Sequence, residues 1–154
     1  TKLEEETILS PIKGEVKPIE ESSDAAFASG ALGKGVVILP EEGKVYAPVT
    51  GTVTVLFPSL HAIGITSDAG VELLIHIGIN TVQLNGEGFT AHIKQGDQIK
   101  QGQLLVEFDM NKIKEAGYSL ETPVLVTNYA DVKEVKNTSA SFVQLQETLI
   151  EVKY

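Results

Sequence analysis

Apolar positions come in short runs rich in Val, Ile, Leu, Phe and Thr, separated by turn-forming residues: GVVILP at 35–40, KVYAP at 44–48, GTVTVLF at 51–57, HAIGIT at 61–66 and VELLIHIGI at 71–79. Runs this short and this closely spaced predict strands, and hence an all-β sandwich or barrel. Further strands are expected at 88–93, 103–108, 123–127, 141–145 and 148–153, with turns at Gly96-Asp97 and Gly102-Gln103. One short helix is expected near 109–116, where Asp109 can cap MNKIKEA and Gly117 follows its end. The longest irregular stretch, SSDAAFASGALGKG at 22–35, has the length of a functional loop. Pro11-x-x-Gly14-x-Val16 reappears as Pro48-x-x-Gly51-x-Val53, which suggests two similar strand-entry corners. No linker divides the chain, so residues 1–154 are read as a single domain.

Composition narrows the chemistry. The 154 residues are 42% hydrophobic, enough for a folded core, and carry a net charge of −9 with no arginine. An acidic chain without guanidinium groups is a poor partner for nucleic acid. The absence of cysteine excludes disulfides, thiolate metal sites and thiol nucleophiles. No apolar run is long enough to span a membrane, and TKLEEETILSP is too acidic for a signal peptide, so no direct membrane insertion is expected. Beginning with threonine, the chain reads as a processed protein or a module cut from something longer, and as cytoplasmic. Near-neutral chemistry is left to His61, His76 and His92.

Two of these histidines flank Ser67-Asp68-Ala69-Gly70, the turn signal between two strands. A two-residue turn centred between Asp68 and Ala69 makes His61 and His76 a directly opposed pair on one face. A three-residue turn shifts the register and is expected to send the rings to opposite faces. Paired imidazoles suit either a nucleophile with a hydrogen-bonding neighbour or a zinc site with Glu72 as third ligand. The apolar neighbours Leu73, Leu74, Ile75 and Ile77 make an idle imidazole at 76 expensive. His92 lacks such company and is expected at the surface. Gly78, Gly86 and Gly88 permit close approach of a partner or a phosphoryl group, and Phe27 and Phe57 suggest an apolar rim.

The string GVELLIHIGINTVQLNGEGF at 70–89 resembles the active-site signature of glucose-type IIA domains of the bacterial phosphoenolpyruvate:sugar phosphotransferase system. DAAFASGALGKG, APVTGTV, FPSLHAIGI and TPVLVTN follow in that family's order, so the resemblance spans almost the whole chain. It implies an antiparallel β sandwich with Greek-key-like connections and a phosphotransferase working through a transient phosphohistidine. His76 would attack the phosphohistidine of the carrier HPr through Nε2 and pass the phosphoryl group to a IIB domain. His61 would hydrogen-bond the phosphoryl oxygens, and Ser59 would orient the imidazoles. Phe27, Phe57, Gly78 and Asn80 would belong to the partner surface, Asn80 standing where many relatives have aspartate. No cofactor and no metal are implied, and the missing arginines would come from partners. The details look closest to modules fused to β-glucoside or sucrose permeases, which would place the chain at the cytoplasmic face of the membrane, in one polypeptide with IIB and IIC.

Two other readings compete. APVTGTV followed by IKQGDQIKQGQLLVEFDMNK resembles a biotinyl or lipoyl carrier domain, with Lys112 as the modified residue. That lysine, however, falls in the expected helix instead of a hairpin tip. A zinc-peptidase-related β domain would show His-x-His and His-x-x-x-Asp motifs, and neither occurs.

Overall fold

A computed structural model describes residues 5–154; residues 1–4, the start of the acidic N-terminal stretch, lie outside it. Its strands are β1 (Glu5–Leu9), β2 (Gly14–Pro18), β3 (Lys34–Pro40), β4 (Lys44–Tyr46), β5 (Gly51–Leu56), β6 (Ala62–Ser67) and β7 (Glu72–His76). They continue with β8 (Phe89–Ala91), β9 (Gln98–Ile99), β10 (Leu104–Phe108), β11 (Thr122–Val126), β12 (Glu134–Asn137), β13 (Phe142–Val143) and β14 (Thr148–Lys153). All named pairings are antiparallel. An eight-stranded sheet runs β13-β2-β3-β11-β7-β6-β5-β9, and two three-stranded sheets run β1-β14-β12 and β4-β10-β8. One core joins all three, with Ile8 and Ile150 from the first small sheet, Val45 and Val106 from the second, and Ile38, Ile63, Ile75 and Val124 from the large one.

The expected all-β architecture is therefore present, with differences in detail. Besides α2 (Met110–Glu115), capped by Asp109 as expected, there is a second helix, α1 (Ala25–Ala28), inside the stretch expected to be irregular. Four residues are too few to produce a helical period in the sequence. Strands β1, β2, β9 and β12 were not expected, since none buries more than two side chains and the apolar pattern there is faint. The corner echo is structural. Gly14 opens β2 and Gly51 opens β5, and a Cβ at either would run into the neighbouring strand's carbonyl at Leu39 or Thr66. Val16 and Val53 follow each corner into the core.

The outer face of the large sheet positions the site. Val37, Leu74 and Leu125 stand on the face opposite their core-directed neighbours, where Ile19, Phe27 and Ile79 cover them as a second apolar cluster. Asp24 holds α1 over this face by accepting from the Ala26 N–H at 2.8 Å. Burying Phe27 to 5% exposure contributes about 2–3 kcal/mol and fixes the roof beside the end of β7.

Candidate active site

The turn between β6 and β7 has three residues, Asp68-Ala69-Gly70, closed by the Ser67 N–H donating to Val71 O at 2.8 Å, with Gly70 at φ 105°. His76 consequently faces Ala62, and the expected direct opposition of His61 and His76 is absent. The companion expectation, that this turn length separates the rings, is also corrected: their centroids are 5.0 Å apart at 80°. Strand alternation does not set the direction of the His61 ring, because β6 begins only at Ala62 and Leu60 before it is left-handed, with φ 61°. The pairing comes from loop conformation and not from strand register.

Each imidazole also meets a phenyl edge-on. Phe27 lies 5.1 Å from His76 and Phe57 lies 5.4 Å from His61, so the rings run Phe27, His76, His61, Phe57. Phe27, expected in the docking rim, is buried and forms a wall of the site, whereas Phe57 is 40% exposed. Burial holds His76 below the ordinary imidazole pKa, partly opposed by its bond to the Gly78 carbonyl and by the Asp24 carboxylate. Burial, then the neighbouring His76, pushes His61 down to about 4. Both rings are therefore neutral at pH 7, and their close approach carries no charge repulsion.

His76 Nδ1 lies 2.7 Å from the Gly78 carbonyl. A carbonyl can only accept, so Nδ1 carries the proton and Nε2 keeps its lone pair. The carbonyl reaches back because Gly78 takes φ 74°, and a Cβ there would meet Thr81 Cγ2 at 2.5 Å and Ser119 O at 2.9 Å. The segment is braced further: the Thr81 hydroxyl donates to Ile77 O, and the Ile79 N–H donates to Ser119 O at 3.0 Å. Asn80 sits left-handed at φ 63°, a conformation asparagine tolerates, and its side chain does not cap the 3₁₀ turn that follows.

His61 is bound differently. It is 4% exposed, and its buried Nδ1 has no hydrogen-bond partner among the described residues. Ser59, half-buried two residues earlier, makes no side-chain hydrogen bond to either ring. Glu72 stands at the opposite end of β7 from His76, and no three potential ligands gather among the described residues, so the zinc reading finds no third ligand. His92 is exposed and bonds Glu107 at 3.0 Å. Lys112 lies in α2 with its Nζ 3.5 Å from Glu87, away from any hairpin tip. Asp24 was missed as a site residue; an aspartate before Ala-Ala-Phe-Ala is the capping signal that could have placed it.

The family model described as phosphoenolpyruvate-dependent sugar phosphotransferase system, EIIA 1, matches residues 6–132. The β-glucoside-specific EIIBCA component of Halalkalibacterium halodurans is 51% identical over 149 residues, 97% of this chain and 23% of that protein. Those of Bacillus subtilis and Dickeya chrysanthemi are 56% and 47% identical over 84% and 96% of this chain. The chain thus spans under a quarter of the length of these curated relatives. Glucose permease IIA from Mycoplasma capricolum superposes with a TM-score of 0.87 at 30% identity, over 97% of this chain and 96% of that one.

Proposed function

The chain belongs to the EIIA 1 family of the phosphoenolpyruvate-dependent sugar phosphotransferase system, and from that premise we propose that residues 1–154 form one phosphoryl-carrier domain with His76 as acceptor. The observation that carries this reading is the 2.7 Å bond from His76 Nδ1 to the Gly78 carbonyl, which leaves Nε2 as a bare nucleophile beside a second neutral imidazole. In the transfer, a bond forms between His76 Nε2 and phosphorus as the bond from phosphorus to the donor histidine of HPr breaks. No proton need be taken up from solvent, so positioning and charge stabilisation dominate. His61 donates a ring N–H to the phosphoryl oxygens. The resemblance gives Ser59 the part of orienting the pair; its hydroxyl bonds neither ring here, so that part awaits a Ser59→Ala test of both half-reactions.

Docking falls to the apolar surface around the rings. Phe57 is 40% exposed at one side, and an open groove of about 440 Å³ lined by Val55, Phe57, Gly64 and Leu74 continues from it along the sheet. Val82, 43% exposed in the turn after Gly78 and Asn80, adds apolar area. By similarity to β-glucoside-specific EIIBCA components, the chain acts as the IIA part of such a permease, at the cytoplasmic face, and hands the phosphoryl group to a IIB domain of the same polypeptide. Among the described residues no helix is long and apolar enough to cross a membrane.

Incubation with phosphoenolpyruvate, enzyme I and HPr is expected to place one acid-labile, alkali-stable phosphate on the chain and none on His76→Ala. An unlabelled wild type, or an undiminished label on the variant, overturns the mechanism.

A further inference from the structure

Side chains on β6 and β7 alternate: Ile63, Ile65, Leu73 and Ile75 enter the main core, and Leu74 and His76 stand on the opposite face. The Ile77 N–H donates to the His61 carbonyl at 2.7 Å, so this register continues one step beyond β6 and sets His61 across from core-buried Ile77. Strand geometry would then point His61 into the core. Its ring instead lies 5.0 Å from His76.

The break falls at Leu60. Four non-glycine residues among those described have positive φ: Leu60, Asn80, Asn85 and Gln146. Leu60 alone among them is aliphatic, with no polar group to compensate the left-handed backbone locally. Two features hold it there. The Leu60 N–H donates to Phe57 O at 2.8 Å while the Phe57 N–H donates to Ala62 O at 3.1 Å, which pins the loop at both ends. The Leu60 side chain is half-buried against the main core.

We infer that Leu60 is a positioning residue: its left-handed backbone, closed by the two loop hydrogen bonds, turns the His61 ring out of the core face and against His76. Its consequence for transfer rests on the reading of His76 as phosphoryl carrier. The geometric part stands independently. A residue that accepts the left-handed region should preserve the ring pair even without the leucine's shape. A β-branched aliphatic residue of the same size should lose the pair even while staying apolar.

The test compares Leu60→Asn with Leu60→Ile in the 154-residue chain. NMR contacts between the two imidazoles and the titration of each ring report the geometry; labelling by phospho-HPr and discharge to a IIB domain report the function. Leu60→Asn is expected to keep the ring contact and a depressed His61 titration. Leu60→Ile is expected to lose the contact, move His61 toward the ordinary value of about 6.5, and slow discharge to IIB about tenfold or more while His76 still accepts phosphate. Contact kept in a folded Leu60→Ile chain, or lost in a folded Leu60→Asn chain, overturns the inference. If Leu60→Ile does not fold, the asparagine variant decides alone. If no variant and no wild type is labelled, the carrier reading fails while the ring contact still decides the role of Leu60.

Discussion

Two histidines of identical chemistry sit 5.0 Å apart, and the elements holding them differ in almost every respect. His76 ends a regular strand, has its Nδ1 bonded to the Gly78 carbonyl, and is followed by a segment tied to Thr81 and Ser119. His61 closes a loop behind a left-handed leucine, is buried to 4% exposure, and has an unpartnered Nδ1. A fixed tautomer on a rigid strand end is what a nucleophile needs, because it presents the same nitrogen at every encounter. A neutral ring packed deeper and 5.0 Å from the first suits a group that binds charge arriving on its neighbour. The difference teaches that the proposed roles rest on what holds each ring, since residue type is the same.

The sharpest way to break this comparison is to replace the second imidazole. His61→Gln is expected to keep phosphoryl acceptance from HPr but to reduce transfer to IIB by about a hundredfold or more. Equal loss in both steps would show that the two rings act as one unit and not in separate roles. Rapid-quench measurement of each half-reaction separates the cases.

The two phenyl neighbours offer the next contrast. Phe27→Ala removes a buried ring and is expected to cost about 3–4 kcal/mol of unfolding free energy. Phe57→Ala, at a position 40% exposed, is expected to cost under about 1 kcal/mol while raising the KM for phospho-HPr. Denaturant titration with steady-state transfer kinetics reads both. A KM effect confined to Phe27→Ala would reverse the assignment of wall and docking surface.

Acid should then separate the two imidazoles by stability. His61 has a folded pKa near 4 against an unfolded value near 6.5, so between those limits the unfolded chain binds more protons and stability rises with pH. The contribution is fully present above about pH 6.5 and is lost as pH falls toward about 4, at most roughly 3 kcal/mol. Denaturation midpoints at pH 7 and pH 4.5 should therefore differ more in wild type than in His61→Gln. A pH dependence unchanged by that substitution would mean that His61 titrates normally in the folded chain.

Much of this protein was legible from residue order. Short β-branched runs with turn signals between them imply an all-β domain because strands and turns are local in sequence. Asp109 and Gly117 bound α2 for the same reason. A histidine held among Leu73, Leu74, Ile75 and Ile77 marked His76 as costly and therefore purposeful. Less local features were hidden. The four-residue α1 and the weakly apolar β1, β2, β9 and β12 take their stability from tertiary partners, which no local pattern announces. Phe27 looked like an exposed rim because nothing in its neighbourhood reveals that α1 folds over Val37 and Leu125.

The histidine pair shows where this boundary falls. Residue order determined which side chains could do the chemistry: three histidines, no cysteine and no arginine, with a string around His76 that resembles a family's active-site signature. Tertiary structure decided how two of them meet. Turn length and strand register alone would have separated the rings, and a left-handed Leu60 seated on the main core brings them together. That outcome depends on one backbone torsion held by distant packing. Sequence spacing can count residues between two side chains but cannot specify a torsion that the rest of the fold imposes.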